Sequence, residues 1–158
     1  MKGIHHYTLN VKWTGNNGTG TSDAKAYERS HTVSATGKGE LHCSSDTPFR
    51  GDGSKYNPED MLVASLSSCH MLWYLHLCAD AGVLVTAYSD DPHGTMAEAT
   101  ATERGRFTEV VLNPVITISD GSKEDLARAL HEKAHEQCFI ANSCNFPVIH
   151  KPVFIVRP

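Results

Sequence analysis

Five cysteines, Cys43, Cys69, Cys78, Cys138 and Cys144, are the residues of this chain best suited to covalent chemistry. A thiolate is a nucleophile and a metal ligand, and two adjacent thiols can close a disulfide. An odd number cannot pair completely within one chain. The N-terminal run MKGIHHYTLNVKW has no signal-peptide core, so free thiols and a cytoplasmic, reducing setting are expected. Taken singly, each cysteine reads most simply as a small buried hydrophobe. Cys69 and Cys78 lie nine residues apart on one predicted helix, roughly 13 Å at 1.5 Å per residue, whereas a disulfide needs Cα atoms within about 7 Å. Cys69 must therefore find its partner elsewhere. Cys138, on the inward stripe of the second predicted helix, is the natural candidate, and Cys43 and Cys144 stay open.

A reactive cysteine also needs its thiolate favoured. The helix N-terminus cannot do this for Cys69, which lies about three turns inside, beyond the reach of the helix dipole. Burial among apolar side chains acts in the wrong direction. A cation delivered by the fold is required, and Arg50, just ahead of the helix, and Arg29, on an early strand, are the candidates. Glu59 can hold such a guanidinium through a bidentate pair. His70 is next to Cys69 in sequence but points elsewhere around the helix, and a structural role is expected for it. His131, His135 and Cys138 share one helical face and resemble a zinc-ligand set. No fourth ligand is indicated, so surface histidines, with no metal, are expected. No Gly-x-Ser-x-Gly elbow supports serine hydrolase chemistry.

The element that must position these groups is the stretch Asn57 to Gly82. Asn57 can cap, Pro58 fits the first helical position, Glu59 and Asp60 place negative charge on the first turn, and Gly82 can end the helix. Met61, Leu62, Val63, Leu66, Met71, Leu72, Trp73, Leu75 and Leu77 leave almost no polar face, so the helix belongs inside a protein or an interface. Ser65, Ser67, Ser68, His70, His76 and Asp80 interrupt it, and no positive flank sets an orientation, which argues against a membrane span. Strands are expected at His5–Trp13 and Ala26–Ala35, around the glycine-rich loop TGNNGTGTS, at Glu40–Cys43, at Val83–Ser89, as a long hairpin from His93 to Ile118, and at Val148–Val156, interrupted by Pro152. A second helix starts at Asp120 or Ser122, with an apolar stripe of Leu126, Ala127, Leu130, Ala134 and Cys138. The sum is a single α+β domain of about six strands in antiparallel sheets and two main helices.

A hydrophobic content of 40% with 20% charged residues is ordinary for a globular protein. A net charge of -4 and no long Lys/Arg cluster argue against nucleic-acid binding.

Taken together, the run NPEDMLVASLSSC (57–69), the approach FRGDGSKYNPE, the loop WTGNNGTGT and the run HEQCFIANS (135–143) resemble the OsmC/Ohr family, that of osmotically induced protein C and the organic hydroperoxide resistance proteins. The order of strands, long helix, strands, second helix and last strand resembles it too. The resemblance implies a thiol peroxidase for organic hydroperoxides and, less well, hydrogen peroxide. It implies an intertwined homodimer and an external dithiol reductant, with no cofactor. Carried over by position, Cys69 is the peroxidatic and Cys138 the resolving cysteine. Glu59 orients an active-site arginine, for which the FRGD segment favours Arg50 over Arg29. Cys144 lies outside that two-cysteine pattern.

Overall fold

The computed structural model describes residues 3–157. The chain divides into two compact units, Met1–Met61 and Leu62–Pro158.

The first unit is built on a three-stranded antiparallel sheet in the order β1 (Asn10–Trp13), β2 (His31–Ser34), β3 (Leu41–Cys43). Asn10 faces Ser34 and Trp13 faces His31 across the first pair, and His31 faces Cys43 across the second. The glycine-rich loop between β1 and β2 is an organised hairpin connection. Asn16 Oδ1 accepts from the N–H groups of Gly18 and Gly20 at 2.9 and 3.0 Å, and Trp13 Nε1 donates to the Glu28 carbonyl at 2.8 Å. Beyond β3, Asp46 caps a single 3-10 turn, Thr47–Phe49, after which Arg50 takes a left-handed conformation at φ 64°. Asn57 then starts the long helix α1 (Pro58–Asp80) through a reciprocal capping box. Its Oδ1 accepts from the Asp60 N–H at 2.7 Å, and Asp60 Oδ2 accepts from the Asn57 N–H at 3.2 Å.

The second unit contains the rest of α1, two three-stranded sheets and the helix α2 (Glu124–Gln137). Gly82, at φ 67°, ends α1 in a Schellman motif. The Val83 N–H reaches the Cys78 carbonyl at 2.8 Å, and the Gly82 N–H reaches that of Ala79 at 3.2 Å. One sheet has the order β4 (Val85–Asp90), β7 (Pro114–Ile118), β9 (Val153–Val156), and the other β5 (His93–Ala97), β6 (Arg106–Leu112), β8 (Val148–His150). In each, the first pair is antiparallel and the second parallel.

Among the described residues there are nine strands where about six were expected, and two of the expected strands are broken in the middle. The expected run from Phe107 to Ile118 splits at Asn113, where the backbone N–H turns from the ladder to Asp90 Oδ1 at 2.6 Å. The other oxygen of the same carboxylate accepts from Ser67 Oγ on α1 at 2.5 Å. A buried backbone donor needs a partner, and Asp90 supplies one where the strand bends. The last strand splits at Lys151–Pro152, where the sequence placed the interruption.

Two apolar clusters form the core of this unit. One joins Tyr74 and Cys78 of α1 to Ala127, Leu130 and Ala134 of α2 and to Ile116 and Ile118 of β7. The other joins Leu66 to Val110 and Leu112 of β6. Leu126, expected on the inward stripe of α2, is 42% exposed, because it lies off the face defined by Ala127, Leu130 and Ala134.

The loop that carries Arg50 is sensitive to one methyl group. A Cβ on Gly51 would lie 1.5 Å from the Ser45 carbonyl oxygen, whereas one on Gly39 meets nothing within 4 Å. Gly51→Ala is expected to destabilise the protein by about 2 kcal/mol or more. Gly39→Ala is expected to change it by less than about 1 kcal/mol. Urea unfolding midpoints check both, and equal midpoints for the two variants would contradict the packing described for this loop.

Candidate functional site

Leu66, His70, Tyr74 and Cys78 recur every four residues, and these are the buried residues of α1. Cys69 precedes His70 by one position, roughly 100° around the helix, and is half-buried. Cys138 lies just past the end of α2 with extended backbone, φ -68° and ψ 105°, and its thiol is buried. It is a C-cap rather than the inward helical residue that the periodicity predicts. Its N–H still bonds to the His135 carbonyl at 3.2 Å, and its own carbonyl accepts from the Asn142 N–H at 3.0 Å.

This turn brings the two sulfurs together. The Cys138 thiol lies close enough to Cys69 to be perturbed by it, although 69 positions separate them in the chain. Burial, with the nearby Cys69 thiol acting in the same direction, pushes the Cys138 thiol up to about 11. The Ala141 N–H, 3.4 Å from Cys138 Sγ, and that of Ile140 pull in the opposite direction. All five cysteines are free thiols in this structure. Cys78, on the buried stripe of α1, and Cys144, packed against the cluster around Leu66, both have thiols raised by burial. Neither is in contact of the Cys69–Cys138 kind. Cys43 is buried in the first unit, where its thiol points at the Leu41 carbonyl, 3.8 Å away.

Beside the sulfurs lies an apolar surface. Phe139, next after Cys138, is 69% exposed and packs edge-on against Trp73 with ring centroids 5.8 Å apart. Leu72, Trp73 and His76 line an open depression of about 320 Å³.

The first unit holds the two candidate arginines. Both line a recess of about 300 Å³ together with Glu28, Ser30, Ser44, Gly51 and Asp52. Arg29 is committed: its Nη1 donates to the carbonyls of Ala24 and Tyr27 at 2.9 and 2.8 Å, and its guanidinium lies 4.3 Å over the Tyr27 ring. Arg50 is exposed, and among the described residues its guanidinium makes no hydrogen bond or ion pair. Glu59 is half-buried, and among the described residues it forms no ion pair with Arg50 or Arg29.

A feature the sequence reading misses lies on the inner side of α1. His131 is fully buried, not on the helix surface as expected. Its Nδ1 is 2.9 Å from Nε2 of His70, which is also buried. The two rings are nearly parallel, 10° apart in plane, and His131 stacks on Tyr74 at 3.8 Å. His150 of β8 stacks on both at 5.4 and 5.8 Å, and His135 lies 5.7 Å from His150. The signal was available: His70 falls on the four-residue repeat with Leu66, Tyr74 and Cys78.

The run HEKAH (131–135) also spells the His-Glu-x-x-His pattern of zinc peptidases, a signal that the sequence reading overlooks. The geometry does not use it that way. His131 faces His70, Cys138 faces Cys69, and exposed Glu132 lies 3.6 Å from His150. Among the described residues no three His, Cys, Asp or Glu side chains converge as metal ligands.

Burial pulls His70 down to about 4, with the neighbouring His150 and His135 adding to the effect. Burial pulls His131 down to about 3, followed by His70, His150 and Arg128. His150 is also lowered by burial, against the opposing pull of Glu132. An unfolded imidazole titrates near 6.5. The buried neutral pair therefore contributes its full stability above about pH 6.5 and loses it as the pH falls toward the folded values. Between pH 7 and 5 the loss is expected to be about 2 kcal/mol for each of His70 and His131. Urea midpoints at the two pH values check this. A midpoint that does not move, or an equal fall after both histidines are replaced by Gln and Asn, would contradict it.

The fold has counterparts among known proteins. The OsmC-like protein family matches residues 51–151. An OsmC-like protein of unknown function from Vibrio cholerae is 30% identical, with a TM-score of 0.85 over 95% of this chain and 100% of that one. An organic hydroperoxide resistance protein OsmC from Legionella pneumophila shares 23% identity at a TM-score of 0.67, covering 97% of this chain and all of that one. One from Elizabethkingia anophelis shares 20% at 0.67, covering 99% and 100%. These last two similarities establish the fold alone. A search of curated protein sequences found no match.

Proposed function

The chain belongs to the OsmC-like protein family, and on that premise we propose that it is a thiol peroxidase for organic hydroperoxides and, less well, hydrogen peroxide. The observation that supports this reading most is the proximity of the Cys138 thiol to Cys69. Two sulfurs so placed suit a cycle in which one is oxidised and the other traps the product. The Cys69 thiolate attacks the distal peroxide oxygen, the O–O bond breaks, and the alkoxide leaves as an alcohol after taking a proton. Cys69 becomes a sulfenic acid. The Cys138 sulfur then displaces its hydroxyl, which leaves as water, and the Cys69–Cys138 disulfide forms. An external dithiol returns both to thiols by exchange. No cofactor enters.

Arg50 is assigned as the guanidinium that stabilises the thiolate and the charge on the leaving oxygen. Its lack of partners among the described residues favours it over Arg29, whose hydrogen bonds and Tyr27 stacking already fix it. Glu59 is assigned to orient it. Leu72, Trp73 and Phe139 make the surroundings apolar, which suits greasy peroxides.

The same reading includes a homodimer. Only 22% of the most apolar stretch of α1 is buried by this chain, and Leu72 is 63% exposed. A second copy is the occupant assigned to that face. The setting assigned is cytoplasmic, with neither nucleic acid nor membrane as a partner.

Cys69→Ser is expected to abolish turnover of cumene hydroperoxide, and Cys138→Ser to allow one oxidation and then leave a sulfenic acid that dimedone labels. Turnover that survives Cys69→Ser would overturn the proposal. Thiols that react sluggishly with both peroxide and alkylating agents would point instead to a binding protein with structural cysteines. Because burial raises the Cys138 thiol well above its ordinary range, disulfide closure after the first oxidation is expected to speed up as the pH rises from 7 to 9. Stopped-flow Trp fluorescence follows it, and a flat profile would contradict Cys138 as the resolving sulfur.

A further inference from the structure

The buried imidazole pair sits where α1 and α2 must be kept in register for the sulfurs to meet. His70 is the next residue after Cys69, and His131 lies two helical turns before Cys138. Apart from the sulfur contact itself, the groups that join the helices around this point are apolar: Tyr74 and Cys78 against Ala127, Leu130 and Ala134. Such packing is non-directional and tolerates sliding. A hydrogen bond is not. The 2.9 Å bond from one ring to the other fixes both distance and ring orientation, and the 3.8 Å stacking of His131 on Tyr74 fixes its height along α1.

The arrangement has a cost that a purely space-filling role would not require. One nitrogen of the pair donates and the other accepts. Their far nitrogens, His70 Nδ1 and His131 Nε2, are buried without partners, as are His135 Nδ1 and His150 Nδ1. Whichever tautomer is present, one far nitrogen carries an unsatisfied N–H, worth about 1–3 kcal/mol of lost solvation. Two leucines would fill such a site without that penalty.

We propose that the His70–His131 hydrogen bond is a positioning device that holds α1 and α2 at the spacing where the Cys138 sulfur reaches Cys69. The proposal rests on the reading of Cys69 and Cys138 as a redox pair. The two histidines touch neither peroxide nor sulfur. They act through the helices and set the effective concentration of one thiol at the other. A displacement of about 1 Å at a reacting pair is enough to change such a concentration by one to two orders of magnitude.

The test equilibrates the full chain with reduced and oxidised glutathione, quenches with acid, and measures the fraction carrying a Cys69–Cys138 disulfide. Oxidised glutathione takes the two electrons, leaving as two thiols. No peroxide is involved. His70→Leu and His131→Leu are each expected to lower the equilibrium constant for disulfide closure by about tenfold or more. His70→Gln combined with His131→Asn is expected to restore it to within about threefold of wild type, since Gln presents its amide near Nε2 and Asn near Nδ1. If the leucine variants do not fold, His70→Gln with His131→Leu takes their place beside the Gln/Asn pair. Folded leucine variants within about twofold of wild type would overturn the proposal. So would a Gln/Asn pair no better than the leucines. Failure of the peroxidase reading is distinguishable: wild type would close the disulfide with glutathione yet turn over no hydroperoxide.

Discussion

The approach of two sulfurs carried by different helices of the second unit is the constraint that the rest of its structure serves. Cys69 sits in the middle of α1 and Cys138 at the end of α2, so neither element can shift without separating them. The positions of both helices are set by apolar burial on one side and by polar bonds at a few points. Asp90 links Ser67 of α1 to the bend at Asn113, and the histidine pair links α1 to α2. The turn after α2 matters as much as the helix. It ends in time to direct Cys138 inward, and the 3-10 turn Ala141–Ser143 that follows offers its first N–H to the sulfur.

Electrostatically the site is asymmetric. Cys138 is deep and its thiol is held protonated by burial, whereas Cys69 is half-exposed. That difference suits a division of labour in which the accessible sulfur reacts first and the buried one follows. A sulfur that need not be a thiolate at rest is also protected from stray oxidation, since thiolate character and access together decide which cysteine is oxidised.

Much of this was legible in the sequence, for identifiable reasons. Asn57, Pro58 and Gly82 bracket α1 because capping and left-handed termination are local chemistry, carried by the residues at the ends. Pro152 marks the break in the last strand for the same reason. The bend at Asn113 is invisible locally, because it depends on Asp90, a residue on another strand. The histidines were misread for a related reason. On α2 alone, His131 looks like any polar residue at helical spacing, and only His70, 61 positions away, gives it a buried partner. The four-residue repeat of Leu66, His70, Tyr74 and Cys78 does identify the inner face of α1, but a pattern with two polar-tipped residues is masked by the leucines around it. Those leucines instead leave α1 with the exposed apolar face that the proposed second copy would cover.

The most direct measurement is a stoichiometric titration of the reduced protein with cumene hydroperoxide, followed by mass mapping of the cysteine-containing peptides. One equivalent of peroxide should consume two thiols and link the peptide containing Cys69 to the one containing Cys138. A link that instead involves Cys43, Cys78 or Cys144, or an oxidised Cys69 left unlinked beside a reduced Cys138, would contradict the account.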